Sequence, residues 1–232
     1  MRAVPSGQYS DYARAALDEY GRRSPAERRM FFDAVKHLKI ENVLDLGCGA
    51  GQELFQFLEN SAAFCVGIDV AEELGKVTGK VFSQKNFSGK VVFVRARGER
   101  LPFADESFNI VLCRLALPYM NNRLAIAEAA RVLRSGGVFL LKTHAPPYFL
   151  AMLKERLKTL DPKQIAYPLI CAAGSVIHLL SGRQPENGFW KGKQVFQTRA
   201  FLEREFAKCS LEIKNELSDS NPLSPSYFIV KK

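Results

Sequence analysis

Residues 43–58 constrain this chain more than any other stretch. Val43-Leu44-Asp45-Leu46 is a short apolar run, Gly47-Cys48-Gly49-Ala50-Gly51 follows it, and Leu54, Phe55, Phe57 and Leu58 then recur at helical spacing. Glycine has no Cβ and tolerates tight turns and close backbone approach, so the stretch reads as strand, sharp turn, helix. That unit predicts an α/β fold with a concave ligand site at the carboxyl end of a parallel strand, beside the unpaired N–H groups of a helix start. The glycines fall as G-x-G-x-G rather than G-x-G-x-x-G, and no Lys-Ser or Lys-Thr pair follows, which excludes a phosphate-binding P-loop. Asp45, two residues before the first glycine, places a carboxylate where a pyrophosphate would need positive charge; it suits a cationic or neutral ligand better.

A second acid supports a nucleoside-like ligand. Ala63-Phe64-Cys65-Val66-Gly67-Ile68 is an apolar run ending in Asp69, eighteen residues beyond Gly51. A carboxylate at the end of the neighbouring strand can accept both hydroxyls of a ribose. The alternative reading of Asp69 is a cap for the helix pattern that starts at Ala71.

The segment Asp45–Gly51 resembles motif I of the class I S-adenosylmethionine-dependent methyltransferases, whose cofactor carries a sulfonium and no phosphate. Leu101-Pro102-Phe103 with Asp105 and Ser107-Phe108, and the block Glu128–Gly137, resemble the segments leading into the fourth and fifth strands of the small-molecule, type 11-like branch. The likeness covers most of residues 40–142. It implies a Rossmann-like three-layer sandwich with a mostly parallel seven-stranded sheet of order 3-2-1-4-5-7-6. Residues 1–232 then form a single domain, with an N-terminal helical lid over 1–39 and a helical cap inserted at 145–197. It implies S-adenosyl-L-methionine as cofactor and S-adenosyl-L-homocysteine as product. The implied cofactor contacts are Asp45, Gly47, Cys48, Gly49 and Gly51 in the turn, Asp69 and Val70, then Arg97, Gly98 and Glu99, and Arg114 with Leu115.

Two positions depart from the pattern. Relatives carry an acid for the adenine amino group where this chain has Arg97, and an arginine accepts no hydrogen bond; backbone at Arg97 and Gly98, or stacking of the guanidinium, are the substitutes. Asn109 stands where relatives often have Asp and is read as structural. In the loop after the fourth strand, Pro118 and Tyr119 replace the histidines common in relatives.

For the transfer itself, His144, just past the fifth strand at 138–142, is the first candidate base. Tyr119 is the second, although its ordinary pKa near 10 is high for the task. Tyr12 and Tyr20 are read as lid contacts to substrate and Trp190 as a cap contact; for each aromatic, ordinary packing is the alternative.

Net charge is +9 and the cationic residues are dispersed, which leaves an anionic small-molecule acceptor open and gives no dedicated nucleic-acid module. Five scattered cysteines without a C-x-x-C pair argue for a reducing compartment, and no metal site is expected. No signal-type start and no stretch apolar enough to span a bilayer are read, so the expectation is a soluble, cytoplasmic monomer or homodimer. Methylation of RNA or protein, and a non-catalytic cofactor-binding or scaffold role, are the alternatives.

Overall fold

The computed structural model describes residues 6–71, 79, 82–84, 87, 89–182, 184–185, 187–190, 192–218 and 221–232, with the side chains of 6–12 left aside. Most of the helix expected over 71–88 therefore lies outside the described residues.

Seven strands form one sheet. They are β1 (Asn42–Leu46), β2 (Phe64–Asp69), β3 (Val91–Arg95), β4 (Phe108–Arg114), β5 (Leu133–Lys142), β6 (Leu211–Leu217) and β7 (Ser226–Lys231), in spatial order β3-β2-β1-β4-β5-β7-β6. The first five are parallel, and β7 lies antiparallel between β5 and β6. The order is the one the motif resemblance implied. β1 is buried at Val43, Leu44, Asp45 and Leu46, because a central parallel strand is covered on both faces. The cleft opens where the order reverses between β1 and β4, at the carboxyl ends of the strands.

Helices cover the two faces. On one, Tyr20, Phe31, Phe32 and Val35 meet Val43, Cys65, Leu112 and Leu140. They come from α1 (Ser6–Arg22) and α2 (Pro25–Val35), and α3 (Phe55–Asn60) packs beside them. On the other, Ala125, Ile126 and Ala129 of α4 (Asn122–Val132) and Phe201, Leu202 and Phe206 of α7 (Arg199–Ala207) meet Leu44, Val111, Phe139 and Leu141. The cap is a hairpin of α5 (Pro146–Leu157) and α6 (Pro162–Ser181).

Local chemistry explains the helix starts. Ser24 and Glu27 form a complete capping box ahead of Pro25. Asn121, Asp161 and Thr198 cap α4, α6 and α7 through backbone N–H groups of Leu124, Lys163 and Phe201. Asn109 is structural as expected: its Oδ1 accepts from the backbone of Glu41 and Asn42, pinning the approach to β1.

Four expectations need correction. Ser10 reads as the cap and Gly21 as the end of a first helix, but that helix runs from Ser6 to Arg22. The spacing of Leu124, Ala127, Ala130 and Leu133 predicts a buried face, but Leu124 and Ala127 face solvent and the buried face of α4 is Asn122, Ala125, Ile126, Ala129, Ala130 and Val132. The apolar run predicts a helix over 167–181, but α6 begins at Pro162, because Asp161 and Pro162 supply the start and Pro168 is absorbed inside the helix. Finally, α6 is by length and composition apolar enough to cross a membrane, although none was expected, and only 28% of that stretch is buried.

Candidate active site

The turn after β1 is tied to β2 by its backbone. The N–H groups of Gly47 and Cys48 both donate to the carbonyl of Ile68, at 2.9 and 2.8 Å. Gly47 has φ +76°, and a Cβ there would run into Ala116 and press on Met120. Gly51 has the same φ, and its Cβ would meet Phe93 and Phe82 at 2.9–3.0 Å. Left-handed backbone and neighbours this close leave no room for a side chain.

Asp69 serves the turn directly. Its Oδ2 accepts from the Gly49 N–H at 3.1 Å and its Oδ1 from the Ala71 N–H at 3.0 Å. The capping alternative is thus present, and each oxygen keeps a lone pair for a further donor. Asp45 is fully buried, and its Oδ2 has no hydrogen-bond partner among the described residues. Burial above all, then the charges of Glu53 and Asp69, pushes the Asp45 carboxyl well above the usual carboxylate range, against a weaker pull from Arg114.

Glu53 was not singled out in the sequence. It is buried, receives Arg23 Nη1 at 2.6 Å and lies 3.3 Å from Arg114 Nε. Arg114 is therefore committed to Glu53 rather than held ready for a ligand anion. Nothing in the local pattern announces this cluster, because its members lie just after α1, in the turn before α3 and at the end of β4. Leu115, next in the chain, has φ +60° and donates its N–H to the Lys142 carbonyl, an uncommon backbone for a branched residue.

At the neighbouring loop, Arg97 is largely exposed and pairs with Glu99 at 3.2–3.3 Å. Glu99 is mostly buried and also accepts from the Asn121 N–H. A carboxylate thus stands two residues from the position where the family has its acid. Gly98 is pressed by Met120, whose Sδ would be 2.6 Å from a Cβ. Val70 accepts from Arg95 Nε through its carbonyl. The two resembling blocks meet: Glu128 accepts from the Leu101 N–H at 2.7 Å, and Arg131 donates to the carbonyls of Leu101 and Phe103.

His144 is buried past the end of β5. Its Nδ1 lies 2.9 Å from Ser224 Oγ, and its ring stacks on Tyr148 at 3.6 Å. Burial first, then the charges of Lys142 and Arg114, lowers it to about 4, so the imidazole is neutral at neutral pH and holds an added proton weakly. Tyr119 is half-exposed and its hydroxyl accepts from Gln194 Nε2.

The remaining candidates lie elsewhere. Tyr20 is in the core, edge-on to Phe55, with its hydroxyl accepting from Gln56. Trp190 packs on Gly174 of α6, inside the cap. Tyr12 belongs to α1, and its side chain is outside the described set. An amide network that sequence reading missed ties cap to sheet. Thr143 donates to Gln197, Gln197 donates to Asn122 at 2.8 Å, Asn122 donates to Gln184 at 2.6 Å, and Gln184 donates to the Met120 carbonyl at 2.7 Å. Side-chain amides separated by 62 and 75 residues leave no periodic trace.

The donor set fits a cationic nucleoside ligand. Glu53 is taken up by Arg23 and Arg114, whereas the buried Asp45 oxygen has no partner among the described residues and has capacity for a positive group, whose arrival would favour the ionised carboxylate. A phosphate would be repelled there.

Comparison with known proteins agrees with this geometry. Residues 44–141 match the family model described as a methyltransferase domain. An uncharacterised methyltransferase of Bacillus subtilis, YcgJ, is 39% identical over 106 residues, covering 45% of this chain and 41% of its own. The 27-O-demethylrifamycin SV methyltransferase of Amycolatopsis mediterranei is 32% identical, over 42% of this chain and 36% of its own. The chain thus spans less than half the length of these relatives. Among solved structures, the [4+2]-cyclase SpnF aligns with TM-score 0.58 at 19% identity, over 84% of this chain and 62% of that one, which speaks for the fold alone. This strand order, this turn and these matches support a class I S-adenosylmethionine-dependent methyltransferase domain, broadly of the type 11-like branch, over residues 44–141.

Proposed function

We propose that the protein transfers a methyl group from S-adenosyl-L-methionine to a small-molecule acceptor. The observation that carries this reading is the buried, partnerless carboxylate oxygen of Asp45 beside the glycine turn, a site that favours positive charge. The cofactor, when bound, would supply an electrophilic methyl on a sulfonium, and the residues around the turn would hold it there.

This chain's residues then have separate tasks. The backbone of Gly47–Gly51 and the free lone pairs of Asp69 hold the nucleoside, with Asp69 on the ribose hydroxyls. Val70, Gly98 and Glu99 border the base, and Glu99 supplies the acceptor that Arg97 cannot. Cys48 and Leu115 line the remainder by their backbone. Asp45 faces the cationic end of the ligand. Holding the acceptor at near-contact distance removes much of the barrier. His144 contacts the acceptor and takes its proton. With a pKa of about 4, it suits an acceptor that is itself acidic, and Lys142 nearby favours one that is anionic. Tyr119, with Gln194, borders the same space.

The small-molecule reading is supported by the helical insertion after β5, which reaches the loop after β4 where the Val195 N–H donates to the Pro118 carbonyl, and by the similar 27-O-demethylrifamycin SV methyltransferase. Calorimetry tests the proposal. S-adenosyl-L-homocysteine should bind, an NAD+ control should not, and Asp45→Asn should weaken S-adenosyl-L-methionine more than it weakens a neutral nucleoside. Equal losses for both would remove charge as the basis of recognition.

A further inference from the structure

α6 is built inside out. Its buried residues are Pro168, Cys171, Gly174, Ser175 and His178, with Tyr167 and Leu179 partly buried beside them, so the inward face is narrow and half polar. Ser175 is engaged there, donating to the Cys171 carbonyl and accepting from the Phe196 N–H, and His178 packs edge-on to Phe201. Its outward residues are Leu169, Ala173, Val176, Ile177 and Leu180, each exposed, at spacing i, i+4, i+7, i+8 and i+11. A surface helix normally turns its apolar stripe to the core and its polar residues to water; here the assignment is reversed. No charged residue lies on α6 after Lys163.

α5 extends the same surface. Leu150 and Leu157 are exposed, Leu153 and Leu150 share with Leu169 and Ala172 a groove of about 200 Å³, and Leu160 stands 84% exposed at the hairpin turn. Lys154 and Lys158 follow the leucine stripe at helical spacing, and Lys163 opens α6; all three are exposed. Two acids share the hairpin. Glu155 pairs with Lys158 at 2.8 Å, and Asp161 is occupied in capping α6.

We infer that the α5–α6 hairpin docks the protein on the surface of an anionic phospholipid bilayer, lying in the interface with its leucines in the acyl boundary and its lysines among the headgroups. An apolar face fringed by lysine on a chain of net charge +9 is complementary to such a surface. The helix does not cross the bilayer, because its other face is fixed to the fold. A second copy of the chain is the weaker occupant: α5 and α6, about 18 and 30 Å long and each showing a face roughly 10 Å wide, together give about 500 Å², short of the ~800 Å² per partner of a stable interface.

Vesicle sedimentation of the full chain decides the matter, without cofactor or substrate. The protein should pellet with phosphatidylcholine vesicles containing about one-third phosphatidylglycerol and bind pure phosphatidylcholine at least about tenfold more weakly. Leu169→Glu with Leu180→Glu should lose binding about tenfold or more, with thermal melting and affinity for S-adenosyl-L-homocysteine unchanged. Lys154→Glu with Lys163→Glu should lose the preference for the anionic lipid. Three results overturn the inference: wild-type protein left in the supernatant with both vesicles, full binding by the double glutamate variant, or a lipid-free dimer that the same two substitutions dissolve.

Discussion

The glycine turn and the helical cap are held together by opposite means. In the turn, close neighbours fix the backbone and most of the side chains. Gly47 is hemmed by Ala116, Gly51 by Phe82 and Phe93, Asp69 by two backbone donors, and Glu53 by two arginines. In the cap, Phe149, Cys171 and Phe196 form a small core, but Leu150, Leu157, Leu169, Val176, Ile177 and Leu180 face outward, and side-chain amides tie the insertion to the sheet. The lesson is that the cofactor half tolerates almost no change of shape, whereas the cap is constrained on one face only.

The largest expected effect tests the first half of that contrast. Gly47→Val puts a branched residue at φ +76° against Ala116; it should destabilise the fold by about 2–4 kcal/mol and abolish detectable cofactor binding in calorimetry. A variant that binds normally would mean that the turn is slack.

His144 comes next. An unfolded histidine titrates near 6.5, and this one titrates at about 4. Its folded pKa is depressed, so the folded state is favoured above pH 6.5 and loses that advantage as pH falls toward 4. The loss is about 3 kcal/mol over that window, and denaturant melts of His144→Gln should lack it. An identical pH profile in the variant would place the titration elsewhere.

Asp69→Asn should weaken S-adenosyl-L-homocysteine by about tenfold, from lost charge-assisted hydrogen bonds of roughly 1.5 kcal/mol. Unchanged affinity would leave Asp69 a turn cap and nothing more. The smallest effect belongs to the cap: Leu180→Gln, at a site 84% exposed, should shift stability by no more than about 0.5 kcal/mol. A large loss would mean that the outward face of α6 is packed after all.

The same division governs what could be read from residues alone. Strands announced themselves because buried parallel strands are apolar runs bounded by turn residues, as at 42–46 and 64–69. The turn glycines Gly47 and Gly51 and the strand-ending Asp69 were legible because turn and strand end are local features. The Glu53–Arg23–Arg114 cluster was not, because its partners meet only after the sheet forms. Tyr20 was assigned toward the cleft since an amphipathic helix does not disclose which neighbour its aromatic meets; it packs on Phe55. The inverted polarity of α6 was hidden for a related reason: periodicity locates a stripe but not the direction in which it points.

One feature of the sheet bears on how the chain reaches this form. β7 fills the slot between β5 and β6, yet it is made only after the cap and α7. Until then, the far side of β5 displays unpaired backbone groups next to Val138, Phe139, Leu140 and Leu141, an adhesive rim for any other extended chain. The wiring therefore makes closure of this side of β5 wait for a strand more than eighty residues further along the chain.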